Sequence, residues 1–310
     1  MKKTIAWMMA ILMILTAAGC TGTGKTGKDS SGSAGGTAQT SEAGTGTTSR
    51  AQESSAAPQP KEATIEETVL VDDAGVKITA KSLNLNGFFG PELALLIENN
   101  SEKNLTVQAR KASVNGYMVE TMMSVEVAAG KKASDSLTFT DSSLKEAGIE
   151  AIADMEFSFH IFTSDDWKEY LDTEMISVKT SLAEGFNYVY DDSGEVVFEK
   201  EGIRIVSKGL SAEDSLLGKI VLFYIENKGE MDITVQVRDV SVNGFMVETI
   251  FSCNVSAGKR AVDAVTLMNS DLEKNDIKDI TEIELSFHVF DADNWLTTID
   301  SDPVTLTFGE

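Results

Sequence analysis

The sequence predicts an all-β chain: two tandem β-sandwich domains, each with one short helix, set behind a signal peptide and a disordered tether. Three observations lead there. One long block occurs twice. Each occurrence reads as short strands separated by turns. The N-terminal fifth of the chain has a leader-like start and then no hydrophobic period at all.

The repeat is read first. Ile97-Glu-Asn recurs as Ile225-Glu-Asn, and Thr106-Val-Gln-x-Arg110 recurs as Thr234-Val-Gln-x-Arg238. Ser113-Val-Asn-Gly-x-Met-Val-Glu-Thr121 recurs as Ser241-Val-Asn-Gly-x-Met-Val-Glu-Thr249. Ala129-Gly-Lys131 returns as Ala257-Gly-Lys259, and Ser158-Phe-His160 as Ser286-Phe-His288. The register holds without a gap from Leu95 to Trp167. A period this long means two whole domains, because solenoid units are far shorter. They are placed at 65–182 and 196–310, with a linker at 183–195. At roughly 115–120 residues each can bury its own core. The linker stretch Phe186–Gly194 is short and partly apolar, and leaves open whether the domains pack together.

Within each copy, Val76-Lys-Ile-Thr-Ala and Ile203-Arg-Ile-Val-Ser alternate apolar and polar residues, the first more strictly. Leu93–Ile97 and Ile220–Ile225 are near-continuous apolar runs, as central strands are. Asn115-Gly116 and Asn243-Gly244 tolerate positive φ at both central positions, which favours two-residue hairpins. Their flanks, Leu105–Ser113 and Tyr117–Val127, are strand-like. Ser142–Ala147 and Ser270–Asn275 start with Ser and carry mixed charge, consistent with one or two helical turns. Met155–Phe162 and a last strand near Ile176–Val178 complete copy one. About eight antiparallel strands and one short helix describe an immunoglobulin-like sandwich. The Cys…Trp…Cys signature of true immunoglobulin domains is absent.

The N-terminus has Lys2 and Lys3, an apolar run from Ile5 to Leu15, and small residues before Cys20. The run is shorter than the roughly 20 residues a membrane-spanning helix needs, so it reads as a secretory signal over 1–20. Leu15-Thr16-Ala17-Ala18-Gly19-Cys20 resembles the lipobox of bacterial lipoproteins, although that motif usually has Leu where Ala17 stands. The resemblance implies that Cys20 is acylated and becomes the first residue. Two acyl chains on Cys20 satisfy the rule that stable anchoring takes more than one. Residues 21–64 are rich in Gly, Ser, Thr and Ala, and form a flexible spacer. Gly22-Thr-Gly-Lys-Thr-Gly27-Lys28 fits most of a phosphate-binding loop. Asp29 stands where Ser or Thr is needed, and no strand or helix brackets it.

The segments Ile-Glu-Asn-x-x-x-x-x-Ile/Leu-Thr-Val-Gln, Ser-Val-Asn-Gly-x-Met-Val and Phe-Ser-Phe-His resemble lipoproteins of Gram-positive bacteria that carry tandem telokin-like, immunoglobulin-like domains. The resemblance covers both repeats. It implies a fold and an address on the outer face of the cell membrane, and it implies no activity.

The residues themselves offer little catalytic chemistry. In Met155–Phe162, alternation puts Met155, Phe157, Phe159 and Ile161 on one face and Glu156, Ser158 and His160 on the other. Glu284, Ser286 and His288 repeat that arrangement. Glu and His sit at opposite ends of a stretch of roughly 13 Å, too far apart to serve one Ser as a triad does. The expectation is therefore a solvent-facing or sheet-edge His. The acidic pairs Asp72-Asp73, Asp165-Asp166 and Asp191-Asp192, with Asp291 and Asp293, lack the Gly and Glu of a calcium loop and read as solvated turns. Cys253 replaces Val125 of copy one and reads as a small core residue. With Cys20 acylated, no disulfide framework remains. No cofactor, metal or catalytic residue is called for, and the chain reads as a non-enzyme. The candidate interaction residues are Tyr117 and Phe245 after the hairpins and Trp167 and Trp295 at a strand end, all taken as exposed. Such aromatics either form platforms for sugars or proteins or cap the core.

Charge narrows the partners. The formal net charge is −23. Residues 1–64 hold six basic and four acidic residues, net +2; 65–185 hold ten and twenty-one, net −11; 186–310 hold ten and twenty-four, net −14. Both domains repel nucleic acid and anionic lipid. The first reading is a membrane-anchored display of two binding modules, held by lipid on Cys20 and facing another protein or an envelope polymer. The alternative is an envelope assembly or stress accessory factor whose domains are scaffold; a hydrolase is a distant third.

Overall fold

A computed structural model describes residues 63–212, 215–296 and 298–309. Cys20, the expected signal, the Gly22–Lys28 motif and all but residues 63–64 of the expected tether lie outside them. The first repeat comprises β1 (Thr68–Asp73), β2 (Val76–Asn84), β3 (Glu92–Asn99), β4 (Leu105–Val114), β5 (Tyr117–Met118), β6 (Thr121–Met122), β7 (Ser124–Val127), β8 (Lys132–Phe139), α1 (Asp141–Glu146), β9 (Asp154–Thr163), β10 (Glu169–Asp172) and β11 (Ile176–Lys179). The second comprises β12 (Glu195–Lys200), β13 (Ile203–Leu210), β14 (Gly218–Asn227), β15 (Ile233–Val242), β16 (Phe245–Met246), β17 (Thr249–Ile250), β18 (Cys253–Val255), β19 (Arg260–Met268), α2 (Asn269–Lys274), β20 (Glu282–Asp291), β21 (Thr298–Asp300) and β22 (Val304–Thr307). The described residues are nearly all β, with two short helices, and each repeat is a two-sheet sandwich.

In repeat one, β1–β2–β3–β8 form one sheet, while β9 pairs with β4, β10 and β11 in the other. Repeat two copies this plan with β12–β13–β14–β19 against β15, β20, β21 and β22. The alternation read from sequence is the alternation of burial. Met155, Phe157, Phe159 and Ile161 all point into a buried core, as do Ile283, Leu285, Phe287 and Val289. Leu93, Leu95 and Ile97 come from the facing sheet.

Both Asn-Gly turns adopt positive φ at their two central residues: Asn115 at 50° and Gly116 at 83°, Asn243 at 49° and Gly244 at 81°. The Asn side chain has a second job. Asn115 Nδ2 donates to Ala151 O, and its Oδ1 accepts from the Ala153 and Asp154 amides, tying the hairpin to the start of β9. Asn243 does the same with Asp279, Thr281 and Glu282.

Two features were not foreseen. The stretch after each hairpin is not one strand, because it changes sheets: β5 pairs with β4, β6 with β8, and β7 with β4 again. The short strands β10 and β21, each hydrogen-bonded alongside the His-bearing strand, are too brief to show a period. The helices begin at Asp141 and Asn269, one residue before the predicted Ser, and neither has a side-chain N-cap bond.

Each repeat has its own apolar core. A third cluster, centred on Tyr117, Val206 and Tyr224, joins them, so the repeats pack against each other. No helix among the described residues is long and apolar enough to cross a membrane.

Candidate functional site

One side-chain constellation occurs at the same place in both repeats. His160 on β9 lies opposite Asp172 on β10, and its Nδ1 is 2.5 Å from Asp172 Oδ1. His288 on β20 meets Asp300 on β21 at the same distance. Each imidazole lies beside a Phe of its own strand: His160–Phe162 centroids are 5.4 Å apart, and His288–Phe290 5.2 Å. Each Phe in turn contacts the following Trp, Phe162–Trp167 at 5.3 Å and nearly parallel, Phe290–Trp295 at 6.0 Å and tilted. The result is a ledge running from a His–Asp pair across Phe to an indole that is 76% exposed in repeat one and 72% in repeat two.

The Trp residues close the turn after the strand. Trp167 N donates to Thr163 O, and Trp295 N donates to Asp291 O. That closure puts both in the left-handed region, φ 57° and 62°. A bulky side chain there costs about 1–2 kcal/mol relative to the right-handed conformation. Gly or Asn would carry the turn with less strain, yet Trp occupies it twice, and such outliers concentrate at functional sites. Carboxylates rim each ledge. Asp166 is held by Lys168 and Thr163, with the Lys168 bond first in holding its carboxyl down at about 2. Asp291 accepts from the Asp293 and Asn294 amides and from Asn294 Nδ2. An exposed indole face beside carboxylates and an imidazole suits a sugar ring or a cationic side chain.

The two His residues lie on the face opposite the core, as the alternation predicts, and each is paired with an Asp of the adjacent strand; His160 is half-buried and His288 is 9% exposed. Asp172 and Asp300 were missed. The signal was present, because each lies 12 residues after its His and keeps the repeat's register beyond Trp167. Ser158 and Ser286 bond backbone carbonyls of β4 and β15, not the imidazoles.

Tyr117 and Phe245 separate. Phe245 is 49% exposed, but Tyr117 is 4% exposed, which corrects its expected availability to a ligand. The cause is the joint between the repeats. Arg260 N donates to Gly116 O, so β5 makes a single parallel bridge to β19. Tyr117 packs edge-on against Tyr190 and Tyr224, Met118 reaches the second core, and the Arg260 guanidinium lies 3.7 Å from the Tyr190 ring centroid. Lys259–Glu156 at 2.6 Å and Lys111–Asp232 at 2.8 Å flank the contact.

Beside the joint is a cleft of about 650 Å³, lined in part by Lys111, Glu120, Glu146, Asp232, Cys253 and Asp263. Glu146 is pushed up to about 7, first by burial, then by the charges of Asp263 and Glu120. Burial also raises Asp263, although the Ala264 amide and the Cys253 thiol bond oppose it. Cys253 is a buried free thiol, and burial moves its pKa well up. Among the described residues, no three His, Cys, Asp or Glu side chains are grouped as metal ligands. Asp73 caps the Ala74 amide, Asp191 pairs with Lys208, and Asp192 pairs with Arg204.

No protein-family model and no curated protein matches the chain. Among solved structures, the YadV chaperone is similar over 70% of this chain and 92% of its own, at 9% identity and a TM-score of 0.23. Red sea bream transglutaminase is similar over 79% of this chain and 31% of its own, at 7% identity and a TM-score of 0.17. At those scores, neither says anything of what this chain does.

Proposed function

We propose that the chain is an exported lipoprotein, anchored by acylated Cys20 to the outer face of a membrane, that presents two matched aromatic ledges to another protein or an envelope polymer. The observation that carries the binding part is the duplicated ledge: Trp167 and Trp295 share one strained conformation, a Phe contact and a His–Asp pair beside that Phe. A role in capping the core does not account for two Trp rings that are about three-quarters exposed. Two weak sites on one chain gain avidity, which gives duplication a purpose. The acidic surface, net −23, favours cationic or neutral ligands over nucleic acid. The ledges lack a nucleophile bonded to the imidazole among the described residues, so binding is favoured over catalysis.

The anchoring part is tested by fractionating cells that express the wild-type chain or Cys20→Ala. The wild type is expected in the membrane, and Cys20→Ala is expected to be released or unprocessed. Normal cleavage with full membrane retention of Cys20→Ala contradicts the anchor.

A further inference from the structure

The hairpin that joins the repeats exists twice and is used once. In repeat one, the hairpin docks along β19 of repeat two: Tyr117 bridges Arg260 and packs on Tyr224 of β14, while Met118 reaches the second core. In repeat two, the same turn with the same dihedrals presents Phe245, 49% exposed, and Met246, 65% exposed, and Ile250 on the following short strand is 54% exposed. Glu284, the counterpart of Glu156, is exposed, and so is Asp239, the counterpart of Lys111. Lys111 and Asp239 occupy the same bulge, at φ 51° and 53°, with opposite charge.

We propose that this second hairpin is a docking element for a sandwich domain of a different protein, one whose sheet face is aromatic at its centre and basic at both flanks. The occupied joint shows what such a hairpin accepts. Its receiving face has Tyr224 and Val206 at the centre, with Val262 beside them and Lys259 reaching the glutamate. The partner of the second hairpin needs the same centre and a cation for Glu284. Where the occupied joint sets Asp232 and Asp293 against Lys111, the partner needs a cation against Asp239.

A second copy of this chain does not meet that description. Repeat one keeps Lys131 where repeat two has Lys259, but Leu96 and Ser134 stand in the places of Tyr224 and Val262. Asp165 stands in the place of Asp293 and sets acid against Asp239. An open head-to-tail contact of this kind propagates into fibres unless the sequence opposes it. These three positions oppose it.

The test rebuilds the missing face. Thr79→Val, Leu96→Tyr, Ser134→Val and Asp165→Lys change one buried and three half-buried or exposed residues of repeat one, Thr79 standing in the place of Val206, and give it the centre and the rim that the hairpin requires. Sedimentation velocity of the purified full chain in detergent is the readout. The wild type is expected to sediment as a single species between about 1 and 100 µM, and the rebuilt chain to associate within that range. Phe245→Ser in the rebuilt chain should abolish association. Glu284→Lys, which faces Lys131, should weaken it about tenfold or more. A rebuilt chain that stays monomeric with unchanged circular dichroism overturns the proposal. So does association that survives Phe245→Ser, or a wild type that self-associates through the hairpin. Should the rebuilt chain fail to fold, a photo-cross-linking residue at position 245 of the otherwise native chain decides in the native envelope. An adduct to a second protein that Glu284→Lys removes supports it. No adduct, or one with a second copy of the chain, overturns it.

Discussion

Tyr117→Ala and Phe245→Ala form an internally controlled pair, because the two residues share a sequence position, a hairpin and a backbone geometry and differ in what covers them. Their exposures are 4% and 49%, so about 45% of an aromatic ring's surface is covered in one case and open in the other. An aromatic residue buries about 200 Å² when fully covered, so the difference is about 90 Å². At about 25 cal/mol per Å² that is ~2 kcal/mol. The edge-on contacts of Tyr117 with Tyr190 and Tyr224 add about 0.5–1.5 kcal/mol per aromatic pair. Tyr117→Ala is therefore expected to cost about 4–5 kcal/mol, the upper end for an aromatic truncated to Ala, and Phe245→Ala about 1–2. Urea titration at low protein concentration, followed by far-UV circular dichroism, gives both values. Two separable transitions are expected after Tyr117→Ala, since each repeat has its own core. Equal costs for the two substitutions would refute the packing assigned to the joint.

Three further outcomes follow from titratable and polar side chains. Glu146 has its folded pKa raised to about 7 from an ordinary 4.5, so its contribution is fully present below about pH 4.5 and is lost as pH rises through 7. Its side chain stays solvent-accessible, so screening leaves at most about 1 kcal/mol. Compared with Glu146→Gln, the wild type should lose urea resistance between pH 5 and 8; parallel pH profiles would contradict this. Asn99 is buried and donates from Nδ2 to Lys103 O at 2.7 Å and Val127 O at 2.8 Å, as Asn227 does to Met231 O and Val255 O. Either Asn→Ala change should cost about 2–4 kcal/mol by orphaning two carbonyls, and a loss below about 1 kcal/mol in thermal melts would speak against those bonds. Cys253 should resist a thiol reagent in the native chain and react on unfolding, and rapid native labelling would contradict its burial.

Much of the fold is legible in the sequence because the duplicated stretches carry local signals that tertiary structure does not override. The period of two in Met155–Phe162 survives as a buried face because the opposite sheet supplies Leu93, Leu95 and Ile97 against it. Asn115-Gly116 specifies its turn by conformation alone. What is not legible depends on long-range neighbours. Nothing local says that Tyr117 is covered and Phe245 is not, because the cover comes from residues such as Tyr190, Tyr224 and Arg260, more than 70 positions away. The His–Asp pairs needed the strands β10 and β21, which are three or four residues long and too short for periodicity to reveal. The exposed Trp residues were visible as candidates. Their strained backbone, which gives the ledges weight, was not.

The central claim is that two equivalent ledges bind one class of partner. It is tested most directly by measuring retention on isolated cell envelopes of chains released by Cys20→Ala, so that no acyl anchor contributes, with both ledges wild type, with Trp167→Ala, with Trp295→Ala and with both substitutions. Two-site binding predicts that each single variant falls by about 10²-fold or more in apparent affinity, to a similar single-site level, and that the double variant shows no specific retention. Retention of the double variant equal to that of the wild type would contradict the account.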